Sequence, residues 1–205
     1  MKYNNLKSIL TVLLLSVSLS SHAGVIFDPS NTGSSVGASL NGNSIYMPFI
    51  GPVPTCAGCS LSTTLKNLDA QSTMLEVGDT ATFDFFDIAV NGFGGDTFSI
   101  SATLAFPTPG GSASNSGHGG FATVLGAISG GFLTWNAPVT VALGNGISYT
   151  VGFEDILTGG LGNSTTVQAF VTLNSIAASV PEPGSLALLG LGLAGFGFTR
   201  RRKTT

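Results

Sequence analysis

The sequence predicts an all-β protein, an antiparallel β-sandwich or jelly-roll-like domain. Residues 97–106 alternate strictly: Phe98, Ile100, Ala102, Leu104 and Phe106 share one face, and Thr97, Ser99, Ser101 and Thr103 the other. That is the period of a half-buried strand. Turn signals rich in Gly, Asn and Pro recur about every ten residues, the rhythm of a sandwich. No stretch of the body carries the period of an amphipathic helix, and no internal repeat points to a solenoid.

Taken in order, residues 28–44 are rich in Ser, Gly and Asn and read as loop around one weak strand. Residues 45–50 read as a short strand stopped by Gly51-Pro52-Val53-Pro54. Between 61 and 75 the spacing is mixed: Leu61, Leu65 and Leu68 fit one helical face, whereas Thr63 and Thr64 favour strand. In residues 80–90, Phe83, Phe85 and Ala89 alternate with Phe86, Ile88 and Val90, so both faces read as apolar and the strand as central. Residues 91–96 (Asn-Gly-Phe-Gly-Gly-Asp) read as a hairpin loop, and residues 107–120 as an exposed loop. The Gly-broken run 121–133 reads as two short strands. Val139, Val141 and Leu143 alternate, Gly144-Asn145-Gly146 turns the chain, and Ile147, Tyr149, Val151 and Phe153 return with the same period. Residues 167–173 form a last strand.

Both ends differ from this body. Lys2 and Lys7 precede an apolar run at 9–19, and Ser21-His22-Ala23 places small residues for cleavage between Ala23 and Gly24. This is the layout of a secretory signal peptide over 1–23, which implies passage through the Sec translocon. At the other end, Pro181 and Pro183 lock φ and keep Glu182 extended, a form suited to a processing enzyme. An uncharged run from Ser185 to Phe198 follows, then Arg200, Arg201, Arg202 and Lys203. As a helix the run is roughly 20 Å long, short of the ~30 Å hydrocarbon core, and the basic cluster is a cytoplasmic stop.

Pro181-Glu182-Pro183, the apolar stretch 186–198 and the basic cluster 200–203, in that order at the extreme C-terminus, resemble the PEP-CTERM sorting signal of Gram-negative bacteria. The resemblance implies recognition by an exosortase, an integral-membrane Cys-dependent enzyme that removes the tail. It also implies transient anchoring at the inner membrane, then delivery to the envelope, surface or matrix of cells that make exopolysaccharide. The chain thus divides into a signal peptide (1–23), a β-sandwich domain (24–179) and a sorting signal (180–205). Residues 135–155 also resemble strands of β-sandwich bodies that precede such tails.

Six of the seven basic residues and one of the ten acids lie in the two ends. The body keeps nine acids and Lys66, a net charge of −8. Without arginine it has no means of neutralising a phosphate backbone, so nucleic acid is excluded as a partner. Cations and neutral sugars suit it better.

Several groups invite chemistry. Cys56-Ala57-Gly58-Cys59 is a CxxC whose expected state after export is a disulfide. A zinc site lacks donors because His118 is the body's sole histidine. Asp84, Asp87 and Asp96, with Asn91, Glu154 and Asp155, offer oxygen ligands for Ca²⁺, although not in EF-hand spacing. Trp135 and Tyr149 offer aromatic faces for stacking on a sugar. Gly33-Ser34-Ser35-Val36-Gly37 matches Gly-x-Ser-x-Gly but lacks the strand-to-helix context of a nucleophile elbow. No catalytic residue is assigned and an enzyme is not expected. The expected role is a structural or adhesive matrix protein; the alternative is a carbohydrate- or Ca²⁺-binding module that retains exopolysaccharide.

Overall fold

The computed structural model describes residues 24–47, 51–124, 127–159 and 164–176, together with Gly190 and Gly192. The expected signal peptide, and the short hydrophobic helix apart from those two helical glycines, lie outside the described residues. The body is all-β, as its patterning requires. Its strands are β1 (Val25–Leu40), β2 (Ile45–Met47), β3 (Gly51–Val53), β4 (Ala57–Leu65), β5 (Thr73–Leu75) and β6 (Thr80–Thr108). They continue with β7 (Ser112–Val124), β8 (Ala127–Trp135), β9 (Val139–Ala142), β10 (Ser148–Phe153), β11 (Ile156–Gly159) and β12 (Ser164–Ser175). A single 3-10 turn, Leu68–Ala70, separates β4 from β5.

Every strand pairing is antiparallel, and β6 organises the sheet. Its first half lies between β4 and β12, and that half-sheet continues through β10 to β9. Its second half lies between β1 and β7, and that half continues through β8 to β11. The sheet is thereby curled on itself, and its two halves enclose one core. Phe85, Phe86, Tyr149, Val167 and Val171 from one half meet Phe98, Ile100, Leu104, Leu133 and Trp135 from the other. Trp135 and Phe153 pack across the layers at 4.8 Å between ring centroids, and Phe85 stacks on Phe153 at 5.2 Å.

Two irregularities make this possible. Val167 pairs with Phe86 while Gln168 pairs with Asp84, so Phe85 is an extra residue in β6. This bulge reverses the strand's phase. Phe83 and Phe85 before it, and Phe86, Ile88 and Val90 after it, are all buried. The two apolar faces read from the sequence are therefore one face, re-aimed once. Residues 91–96 are not a hairpin loop either. The strand runs through them and crosses from one half-sheet to the other, with Gly92 and Gly94 at φ of 114° and 112°, where a side chain would be strained.

The stretches read as loop are also strand. Residues 28–40 belong to β1, which is irregular between Asp28 and Ser35 and regular beyond. Residues 112–120 belong to β7, paired on both sides. A Cβ on Gly119 would strike the Phe98 ring and the Phe132 carbonyl, and one on Gly120 would strike Ile45. Those glycines make room for side chains of neighbouring strands. The hairpin over 139–153 is as expected, β9 and β10 joined through residues 144–146.

The order of the strands defines two poles. One holds the β6 crossing, the Cys56–Cys59 loop and the β2–β3 hairpin. The other holds Gly24, residues 76–79, the 107–111 loop, the β9–β10 turn and Ile176. At this second pole the buried Tyr149 hydroxyl donates to the Gly110 carbonyl at 2.8 Å.

Two outcomes follow. Gly119→Ala leaves its Cβ against backbone that cannot yield, and we expect a loss of about 1–3 kcal/mol in urea unfolding. Burial pushes the Tyr149 phenol up to about 12. Its folded value lies above the unfolded one, so its stabilisation is whole below pH ~10 and is lost as pH rises towards 12. Stability measured across that window should fall in the native protein and fall less in Tyr149→Phe, which costs about 1 kcal/mol at neutral pH.

Candidate functional site

Of the acids singled out for Ca²⁺, Asp84, Asp87, Asp96 and Asp155 are engaged with the protein. Asp96 is buried, and its two carboxylate oxygens accept from the backbone N–H groups of Gly42 (3.1 Å) and Asn43 (2.8 Å). It ties the β1–β2 connection to the crossing of β6. Asp87 accepts from Lys66 Nζ at 2.8 Å and from Thr166 Oγ1 at 2.6 Å. Those two donors hold its carboxyl below the ordinary value, Lys66 foremost. Asp84 accepts from Gln168 Nε2 at 2.9 Å, and Asp155 from the Trp135 backbone N–H at 2.7 Å. Asn91 is an exposed residue of β6 paired with Ser60. Among the described residues no group of three or more His, Cys, Asp or Glu side chains is placed to hold a metal ion.

Cys56 and Cys59 are disulfide-bonded, with Cα atoms 5.6 Å apart. The loop they close lies on the glycines of the β6 crossing: a Cβ on Gly92 would approach Cys59 Cα to 2.7 Å, and one on Gly94 the Pro54 carbonyl to 2.8 Å. Glycine is needed there because the CxxC loop covers the crossing at backbone contact.

Trp135 and Tyr149 do not form a stacking platform. Tyr149 is wholly buried against Phe27 and Phe106, and Trp135 is 8 % exposed, packed on Phe86 and Phe153. Their inward phase puts both in the core between the half-sheets. Trp135 lines an open groove of about 390 Å³ together with Pro138, Phe153, Glu154, Asp155 and Phe170. Its Nε1 is buried and has no acceptor among the described residues. Ser34 of the Gly-x-Ser-x-Gly match lies buried in β1 and accepts from the Ala105 N–H at 2.9 Å.

A feature that the sequence reading passed over is the outer face of the β1–β6–β7–β8 layer. Cross-strand register aligns Ser35 with Thr103 and Ser114, Gly37 with Ser101 and Ser116, and Ser39 with Ser99, His118 and Thr134. Serines 35, 39, 99, 101, 114 and 116 are all exposed. Thr103 and Ser114 share a hydrogen bond of 2.8 Å, and Asn136 Nδ2 donates to Ser116 Oγ at 2.9 Å. None of these positions carries an acid or a lysine, although the body is strongly acidic. The hydroxyls repeat about every 4.8 Å across the strands and roughly every 7 Å along them. The signal was present as alternate Ser/Thr at 97–103 and 112–116, but only register shows that the rows align.

The predicted sorting residues Pro181, Glu182, Pro183, Arg200, Arg201, Arg202 and Lys203, and Ala23 of the cleavage pair, lie outside the described residues. Gly24 is exposed at the start of the body. Comparison with protein families decides the nature of the tail. Residues 179–203 match the PEP-CTERM protein-sorting motif. The PEP-CTERM motif marks an exported protein, held transiently at the membrane and processed by an exosortase. The match covers the tail and not the body. No curated protein and no solved structure matches the chain. Among the described residues no helix is long and apolar enough to cross a membrane.

Lys66→Met should raise the Asp87 pKa, read by NMR titration of its carboxyl carbon. Because the native value is depressed, Asp87 contributes stability above its unfolded pKa and loses it as pH falls through the native one. Both partners are about one-third exposed, so the effect on neutral-pH stability should stay below about 1 kcal/mol.

Proposed function

We propose that the mature body is a non-catalytic structural or adhesive component of the extracellular matrix, delivered there by its PEP-CTERM tail. The observation that carries this reading is the uncharged hydroxyl face on β1, β6, β7 and β8. A flat, regular array of donors and acceptors suits a neutral polyhydroxyl surface such as exopolysaccharide. The acids are committed elsewhere, and a neutral face does not repel an acidic polymer as a carboxylate face would. Each contact is weak, so retention in a matrix rests on many copies acting together.

A second reading is a carbohydrate- or Ca²⁺-binding module, favoured by the groove beside Trp135, where aromatic and carboxylate side chains converge. Trp135→Ala is a poor test of it, because truncating a buried Trp costs about 3–5 kcal/mol by itself. Phe170→Ala at the groove's rim is the better variant.

Polysaccharide pull-down with the secreted protein separates the two. Retention on neutral polysaccharide that is abolished by Ser101→Glu with Ser116→Glu, and kept by Phe170→Ala, supports the face. The opposite pattern supports the groove. Intact-mass spectrometry of the secreted protein should show cleavage after Ala23, loss of the basic tail and a two-proton deficit from the disulfide; Thr205 retained in the mature protein would overturn the sorting route.

A further inference from the structure

We infer that the pole from which both ends of the body leave rests on the lipid surface while the C-terminal segment is inserted, with Ile26, Met74 and Val77 entering the bilayer interface. The argument starts from connectivity. Val25 pairs with Leu75, and the Gly78 N–H donates to the Leu173 carbonyl at 2.8 Å, so residues 76–79 stand between the first strand of the body and the end of the last. The chain enters at Gly24 and the described body ends at Ile176 on this same pole.

From Ile176 to Ser185, where the uncharged C-terminal run begins, there are nine residue steps, a reach of at most roughly 32 Å. The inserted C-terminal segment is therefore tethered to this pole, and that pole faces the membrane.

This pole carries exposed apolar side chains; Tyr46, Phe93 and Leu157 are exposed away from it, so it is the tether together with apolar exposure that selects this face. Ile26 is 48 % exposed and is the direct cross-strand partner of Met74, which is 64 % exposed. Val77, 52 % exposed, is held at the tip of a turn closed twice: the Asp79 N–H donates to the Glu76 carbonyl, and the Glu76 N–H to Asp79 Oδ2, both at 3.0 Å. Three such side chains are too few to hold a free body on a bilayer. With the tail inserted the contact becomes intramolecular, at an effective concentration of millimolar order, and a weak contact then suffices to orient the body. The crossing of β6 and the disulfide loop face away from the membrane.

Lipid, rather than the processing enzyme, is the partner because the segment tethered to this pole enters lipid in its own right. Glu76 and Asp79 flank the patch, and Lys66, the body's sole basic residue, is paired with Asp87. Nothing at this pole attracts anionic headgroups, so the contact is apolar and weakens on anionic lipid.

The test uses the full chain, inserted through its own tail into phosphatidylcholine vesicles, with an environment-sensitive fluorophore at Met74→Cys or, as the far-pole control, Phe93→Cys. The native disulfide is kept oxidised. The expected result is a blue shift and quenching by lipid-borne quencher at position 74, neither at position 93, and a weaker signal at 74 when anionic lipid is added. Ile26→Cys labelled in a Val77→Glu background should lose the quenching, and these exposed sites leave the core untouched. A water-like signal at position 74 in inserted protein would overturn the inference. So would photo-crosslinks from position 74 to exosortase alone, which would assign the patch to the enzyme. This outcome does not depend on the matrix role, which the pull-down tests separately.

Discussion

One strand serving two half-sheets is the constraint on which the rest of this body depends. β6 hydrogen-bonds to β4 and β12 along its first half and to β1 and β7 along its second. To do so it must keep its apolar residues facing one core while its direction and neighbours change. The extra residue at Phe85 resets the phase, and positive-φ glycines at 92 and 94 carry the backbone across. Asp96 and the disulfide loop then hold that crossing in place from either side. Glycine is demanded there by contact with Cys59 and Pro54 as much as by φ.

Much of this was legible in the sequence where the information is local. The alternation over 97–106 and the hairpin around Asn145-Gly146 stand as read, since period and turn chemistry belong to the segment itself. The misread segments depend on partners. Residues 112–120 look like loop because their glycines and serines lack bulk, yet Gly119 and Gly120 are small so that Phe98 and Ile45 can lie over them. The bulge at Phe85 exists only in register with Val167 and Gln168. Trp135 and Tyr149 read as free aromatic faces because burial is decided by the opposite half-sheet. The PEP-CTERM tail was legible without any fold, since the order of its residue types alone carries the match.

The body's charges show the same economy. Among nine acids and one lysine, Asp84, Asp87, Asp96 and Asp155 each accept a defined hydrogen bond from another part of the chain. These carboxylates fasten connections and edges, and the hydroxyl face is left without charge. An acidic protein can thus present a neutral face.

Lys66 has a consequence for resistance to proteolysis. It is the body's only residue after which a trypsin-like protease can cut. It follows the end of β4, its N–H donates to the Phe85 carbonyl at 2.9 Å, and its ammonium is held by Asp87. A protease must bind extended, free backbone on both sides of the scissile bond, so that single site is withheld as long as the sheet is intact.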